Sequence, residues 1–140
     1  MVRLNFLLLI LIVFSIEFAK AQTEIPNISK LKLIDEYVVP FNKSFKGTKV
    51  GGLSGIDYDA VNDEYYLICD DRSTINPARF YKAKIHFTEK GIDSVQFTDV
   101  HFLLQPDGST YPSSKHDPKH TPDPESIRYN PKSKIGRAHV

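Results

Sequence analysis

Cysteine is nearly absent from this chain of 140 residues, which excludes a fold held together by disulfides. The one cysteine, Cys69, has no partner within the chain, so no intrachain disulfide can form. It lies in the apolar run YYLICDD, which favours a buried, small hydrophobic side chain at this position. The lack of a cysteine near residue 21 also argues against a lipid-anchored protein.

An excess of charge of either sign is missing as well. The chain has 18 Lys and Arg against 17 Asp and Glu, a formal net charge of +1. Without a basic excess, the sequence gives no indication that the protein binds nucleic acid or an anionic membrane.

No uninterrupted apolar run is as long as a membrane-spanning helix requires. The run at residues 6–18 is shorter than the roughly 20 apolar residues that a spanning helix needs, and Ser15 and Glu17 interrupt it. With Arg3 before it and an A-x-A site at residues 19–21 after it, the run predicts a signal peptide over residues 1–21. We therefore expect a secreted or periplasmic protein without a stable membrane span, a transmembrane anchor being the alternative.

Helical periodicity is absent too, whereas alternating and β-branched segments separated by turn residues are frequent. The pattern predicts an all-β class. We predict strands at residues 29–39, 53–59, 64–70, 78–88, 95–104 and 126–130.

The order of these strands predicts a β-propeller-like architecture. Four successive strands between residues 53 and 104 have the size of one antiparallel propeller blade. The segment GIDYD at residues 55–59 then returns as SIRYN at residues 126–130, with a long polar loop, residues 105–125, in between. We interpret this as one four-stranded blade followed by the start of the next.

The geometry of a blade predicts which of its polar loops lie on the same side. In a four-stranded meander, the start of the first strand, the link between the second and third strands, and the exit from the fourth share one side. Here these are Ser54, residues 70–77 and residues 105–125. Loops held on a rigid scaffold are the usual place for binding residues, so we expect the site on this side.

Ser54 lies in GGLSGIDYD, which begins like a nucleophile elbow. That motif, G-x-S-x-G, requires glycine where Ile56 stands, and a helix should follow where the pattern predicts a strand. We therefore do not expect a nucleophilic Ser54. The glycines are better explained by inner strands that pack too closely for a Cβ atom.

Two acidic segments are stronger candidates than Ser54 for a catalytic or ligand-binding role. Asp70, Asp71 and Arg72 follow a strand, and together could hold a divalent cation and an anionic group. The alternative is a turn in which Asp71 pairs with Arg72 or Arg79. In DPES, Asp123 and Glu125 precede another inner strand, where Glu125 would point at the channel mouth or lie in solvent.

The segments GGLSGIDYD, EYYLICDDRS, PARFYKAKI and DPESIRYNP, in this order, resemble the secreted phytase-like family, described as having esterase-like activity of phytase. The resemblance implies a β-propeller that hydrolyses phosphate esters or related esters, possible use of calcium, and a phosphorylated or ester small molecule as ligand. It indicates the two acidic segments and Arg79 as the candidate site residues.

On that basis we expect a cation-assisted attack by water. The expected roles are catalysis by Glu125 and Asp71, phosphate binding by Arg72 and Arg79, and metal binding by Asp70 and Asp123. A non-catalytic secreted propeller that binds a ligand or a protein is the alternative.

The C-terminal residues 135–140, IGRAHV, would be encoded by ATCGGAAGAGCACACGTC, which is part of a common sequencing adapter. We therefore predict that residues 22–134 are the N-terminal part of a longer propeller domain and that they are inactive alone. The alternative is a genuine C-terminus. The coding DNA tests this prediction, which different codons at residues 135–140 would contradict.

Overall fold

The structure is a computed structural model that describes residues 29–132 and 135–139, the latter by their backbone alone. The chain divides into two units, residues 1–32 and 33–140. The predicted signal peptide, residues 1–21, lies outside the described residues. The described strands are β1 Ser44–Phe45, β2 Thr48–Lys49, β3 Leu53–Asp59, β4 Glu64–Cys69, β5 Arg79–Thr88, β6 Gly91–Phe102, β7 Ser126–Asn130 and β8 Ile135–His139.

Strands β3 to β6 form one antiparallel sheet in the order of the sequence. Each strand hydrogen-bonds to the strand that follows it in the sequence, and a turn or loop connects the two, as in a propeller blade. Strands β7 and β8 form a second antiparallel pair, and the described residues contain no helix. The prediction of an all-β, propeller-like architecture with one blade and the start of the next is confirmed.

The blade is buried on both faces, which explains the continuous apolar run in β4. Alternate residues of β4 point to opposite faces, and Tyr66, Leu67, Ile68 and Cys69 are all buried. One face, which we call the N-terminal face, packs against residues of the segment 39–50. Its core consists of Val50, Leu67, Cys69, Tyr81, Ala83 and Phe97, with Val39 and Phe45 packed against it.

The opposite face, which we call the β7 face, packs against the first strand of the next unit. Ile127 of β7 is buried with Tyr66 and Ile68, and the ring of Tyr129 stacks on Tyr66 with centroids 4.9 Å apart. The backbone amide of Tyr129 also donates a hydrogen bond to Asp57 Oδ2 at 2.7 Å. The four-stranded blade and the β7–β8 pair thus contact each other face to face, as neighbouring blades do.

Gly55 allows this close contact. A Cβ atom at this position would lie 3.0 Å from Ile68 Cγ2 and 3.1 Å from Ser126 Cα. The second of these neighbours is backbone and cannot turn aside. The prediction that inner strands pack too closely for a Cβ atom is confirmed at Gly55.

The sequence repeat accounts for an exposed apolar area on the N-terminal face. Ile56 lies opposite Leu67 in the register, so its side chain belongs to that face, yet Ile56 and Tyr58 are exposed. Their equivalents in the repeat, Ile127 and Tyr129, pack on the first blade. In a propeller another blade would cover Ile56 and Tyr58 in the same way.

The predicted strand at residues 29–39 was wrong. These residues have no regular secondary structure, and most of their side chains are exposed. A strand needs a partner for its backbone groups, and none of the described strands pairs with this segment. Asp35 instead accepts a hydrogen bond from the backbone amide of Ile92 at 2.7 Å.

The sequence analysis also missed the hairpin of β1 and β2. Its turn residues, Lys46 and Gly47, both have positive φ angles, 46° and 77°. This is the backbone of a tight two-residue hairpin turn, for which a glycine at the second position is the main signal.

Strand β8 pairs with β7 along its whole length, from Ser126 opposite His139 to Asn130 opposite Ile135. A second strand beside the first is what a blade requires. The adapter origin of residues 135–140 stays a prediction that the coding DNA tests.

Candidate functional site

Three segments that are distant in sequence meet at one edge of the blade, as predicted. The amide of Asp70 donates to the carbonyl of Gly52 at 2.8 Å, and Ser54 Oγ donates to the carbonyl of Pro124 at 3.4 Å. The amide of Ser114 donates to the carbonyl of Arg72 at 3.1 Å. We call the surface formed by residues 52–54, 70–76 and 112–125 the rim.

Asp71 holds the loop between β4 and β5. Its side chain is only 8% exposed, and its carboxylate accepts hydrogen bonds from the backbone amides of Thr74, Ile75 and Asn76 at 2.7–3.3 Å. Arg79 Nη1 donates to Asp71 Oδ2 at 2.8 Å. Both carboxylate oxygens therefore accept hydrogen bonds from backbone amides of the loop, and one of them also accepts a hydrogen bond from the buried guanidinium of Arg79.

Arg79 is as fully engaged as Asp71. Its side chain is 2% exposed. It donates to Tyr81 Oη at 2.7 Å and to the carbonyl of Lys49 at 2.8 Å, besides its bond to Asp71. Burial opposes the charge, but the hydrogen bonds with Asp71 and Tyr81 outweigh it and raise the pKa of Arg79. Arg79 therefore ties β5 and the loop to the segment that carries β2.

These contacts favour the alternative in which Asp71 pairs with Arg79. A catalytic Asp71 and a substrate-binding Arg79 stay predictions, but either role would require breaking bonds that now hold the loop. Leaving one partner of a buried ion pair unpaired is strongly destabilising.

The pair predicts an acid-sensitive contribution to stability. Burial raises the pKa of Asp71, but the hydrogen bonds from Arg79 and the loop amides outweigh it, and the pKa falls below its ordinary value of 3.8. A carboxyl with a lower pKa in the folded state contributes its full stability above the unfolded-state pKa and loses it as pH falls through the folded-state pKa. The stabilising contribution of Asp71 is therefore lost as the pH falls from about 3.8 to lower values.

We expect the free energy of unfolding of the wild type to fall more between pH 7 and pH 3 than that of Asp71→Asn, which has no carboxyl to protonate. Urea unfolding of the protein encoded by the complete reading frame, called the full-length protein below, measures both. Asp93→Asn, at an exposed position of β6, is the control and should fall as much as the wild type. Equal losses in the wild type and Asp71→Asn would contradict the prediction.

Arg72 lies at the surface of the rim. Its Nη2 donates to the carbonyl of Pro118 at 3.3 Å, and its Nε lies 3.6 Å from Asp123 Oδ1. The side chains of Arg72 and Asp123 are 37% and 53% exposed. Arg72 Nε is buried and has no hydrogen-bond partner among the described residues. Because its side chain as a whole is 37% exposed, other atoms of Arg72 are accessible to a ligand, unlike those of Arg79, whose side chain is 2% exposed.

Asp70 and Glu125 are the other two exposed carboxylates of the rim. Neither side chain forms a hydrogen bond or an ion pair with residues 29–132. The carbonyl oxygen of Glu125 lies against Gly55, which places this residue where β7 begins beside β3. The rim thus carries Asp70, Arg72, Asp123 and Glu125, of which Arg72 and Asp123 are in contact, and the buried pair of Asp71 and Arg79 holds its loop.

A metal site is not formed by the described part of the chain. Within residues 29–132, no group of three or more His, Cys, Asp or Glu side chains is placed to hold a metal ion. Asp70 and Asp123 are too few for calcium, which takes six to eight oxygen ligands. The described residues do not fit a calcium ion by themselves.

The sequence analysis missed the residues that connect the N-terminal segment to the loop. The amide of Lys49 donates to Asn76 Oδ1 at 2.9 Å, and Tyr81 Oη donates to the carbonyl of Lys49 at 2.8 Å. The short hairpin β1–β2 places Lys49 beside Asn76 and Tyr81. The glycine of its turn, Gly47, was the feature of the sequence that could have predicted this hairpin.

A blade that packs face to face with the next unit and gathers polar loops at one rim defines a propeller-like protein with a candidate site at the end of its inner strands. The sequence matches the model of the phytase-like family, esterase-like activity of phytase, over residues 48–136. The chain belongs to this family, which confirms the resemblance. No curated protein and no solved structure matches the chain significantly.

The match includes all six residues predicted for the site, but it assigns no role to any of them. In the residues that the structure describes, no helix is long and apolar enough to cross a membrane.

Proposed function

We propose that the chain is part of an exported, secreted or periplasmic hydrolase that cleaves phosphate esters or related esters at the rim. The family match supports the hydrolase class. The observation that carries the choice of site is the contact of Arg72 with Asp123 at the rim, which also carries the exposed residues Asp70 and Glu125.

Arg72 would bind the anionic group of the substrate. A guanidinium matches the oxygens of a phosphate or carboxylate, and the side chain of Arg72 is 37% exposed at the rim. Its Nε is buried, so the ligand would bind through the exposed part of the side chain, next to Asp123.

Glu125 would act as the general base. It immediately precedes β7, next to the close contact between β3 and β7, and its carboxylate is exposed. In the proposed step Glu125 accepts a proton from a water molecule whose oxygen attacks the ester, and the alcohol leaves with a proton from solvent.

Asp71 and Arg79 would support the site without touching the substrate. Their ion pair fixes the loop that carries Arg72 and Thr74. A loop held in this way needs less ordering when a ligand binds, which favours binding.

Calcium dependence belongs to the proposal as a separate point. Since the described residues do not fit the ion by themselves, the roles above are assigned without it. An ion held partly by Asp70 and Asp123 would need further oxygen ligands from beyond these residues. Assays with added calcium and with a chelator test this point, and equal rates would contradict it.

We expect Glu125→Gln to lower kcat/KM of the full-length protein about a hundredfold on para-nitrophenyl phosphate or para-nitrophenyl acetate, because a glutamine cannot accept the proton. The matched control is Glu89→Gln, an exposed glutamate at the opposite end of the blade, which should leave kcat/KM unchanged. Equal losses in the two variants would contradict the role of Glu125. If the wild type hydrolyses neither ester, the proposed function fails.

The second candidate is a secreted propeller that binds a ligand or a protein without catalysis. The full engagement of Asp71 and Arg79 in structural contacts favours it. Calorimetric binding of inorganic phosphate by a full-length protein that hydrolyses neither ester would support this candidate.

A further inference from the structure

A mostly apolar pocket opens beside the rim. It has a volume of about 510 Å³ and lies between residues 38–52 and the β4–β5 loop. Val38, Phe41 and Val50 line one part of it, and Ile75 lines another. Pockets for small molecules commonly have volumes of about 300–1,000 Å³ and mostly apolar walls, so this one is large enough for an aromatic ring or a short chain.

Asp70 connects this pocket with the rim, since it belongs to both. Gly52, which also lines the pocket, has a φ angle of +57°, and a Cβ atom there would collide with the carboxylate of Asp70. The carboxylate therefore lies directly against the backbone of Gly52. A molecule in the pocket would therefore have one end next to Asp70, at the border of the rim.

Lys49 gives the pocket a positive charge. Its ammonium lies 4.3 Å from the centre of the Phe41 ring, and both residues line the pocket. Within the described part of the chain Lys49 forms no ion pair. This ammonium offsets the negative charge of the exposed Asp70, which lines the same pocket, so the pocket does not repel a ligand that joins an apolar group to an anionic one.

We propose that this pocket binds the aromatic or short hydrocarbon group of a phosphate ester, while the phosphate lies at the rim beyond Asp70. The identification of the ligand as a substrate rests on the proposed function, whereas its binding does not. The protein would then prefer esters of apolar alcohols to strongly hydrated polyol phosphates, because only an apolar group gains from leaving water here.

Calorimetric titration of the full-length protein with phenylphosphonate and methylphosphonate tests the pocket without hydrolysis, since neither has an ester bond. The two ligands carry the same anionic group and differ only in the apolar part. We expect phenylphosphonate to bind about tenfold more tightly, as burial of an aromatic ring predicts. Equal affinities would overturn the proposal.

Two valines provide matched variants. Val38 lines the pocket and is 78% exposed, and Val61 lies away from it in the β3–β4 turn and is 84% exposed. We expect Val38→Asp to abolish the preference for phenylphosphonate and Val61→Asp to leave it intact, at unchanged thermal stability. Ile75→Asp, on another wall at 64% exposure, should act like Val38→Asp.

The outcomes separate this proposal from the proposed function. A phenylphosphonate preference that Val38→Asp removes, in a protein without ester hydrolysis, supports the pocket and refutes the hydrolase. Hydrolysis by a protein that binds both phosphonates equally supports the hydrolase and refutes the pocket. Equal effects of Val38→Asp and Val61→Asp on the preference would also refute the pocket.

Discussion

Asp71→Ala is expected to lower the free energy of unfolding of the full-length protein by about 3–5 kcal/mol. The variant leaves the guanidinium of Arg79, 2% exposed, without its counter-ion, and leaves the amides of Thr74, Ile75 and Asn76 without their acceptor. Urea unfolding followed by circular dichroism measures the loss.

Asp123→Ala is the matched control for this prediction. Asp123 also pairs with an arginine, but its side chain is 53% exposed and the separation is 3.6 Å. Exposed ion pairs contribute about 0–1 kcal/mol, so the control should lose no more than that. If both variants lose the same amount, Asp71 and Arg79 do not form the anchor of the β4–β5 loop.

Gly55→Ala is expected to lower the free energy of unfolding by about 1–3 kcal/mol through overpacking. The added methyl group would press on Ser126 Cα at 3.1 Å and on the carbonyl oxygen of Glu125 at 3.3 Å, and so would push β7 away from β3. The same displacement moves Glu125, so we also expect a lower kcat/KM where hydrolysis is measured.

Gly51→Ala provides the comparison for Gly55→Ala. An added Cβ atom at Gly51 has nothing within 4 Å, so its effect should lie within about 0.5 kcal/mol. A Gly55→Ala variant as stable as Gly51→Ala would show that β3 and β7 are not packed at this distance.

Much of the blade could be predicted from the sequence because its strands follow simple patterns. The bounds of β3 and β7 agree with the prediction, and the repeat of Ile56 and Tyr58 at Ile127 and Tyr129 located the second unit. Meander geometry then placed the three segments of the rim on one side. These features depend only on strand order and on side-chain alternation, both of which are visible in a sequence.

The parts that could not be predicted depend on partners distant in sequence. Residues 29–39 alternate like a strand, but alternation does not reveal whether another strand is available to pair. Strands β1 and β2 have two residues each, too few to show a period.

Burial of individual charges was also beyond the sequence. Asp70 and Asp71 are adjacent, yet the carboxylate of Asp70 is exposed at the rim whereas that of Asp71 turns inward to Arg79. Arg72 and Arg79 differ in the same way. The backbone of the loop decides this division, and the positive φ angle of Ser73, 55°, is part of that backbone.

A crystal structure of the full-length protein with bound vanadate, a phosphate analogue, tests the central claim most directly. The claim is that the functional site lies at the rim, where Arg72 meets Asp123 and where Asp70 and Glu125 are exposed. We predict that vanadate contacts Arg72 and lies next to Glu125, with the Asp71–Arg79 pair intact. Vanadate bound at the opposite end of the blade, beside the turns at residues 60–63 or 89–91, would contradict the account.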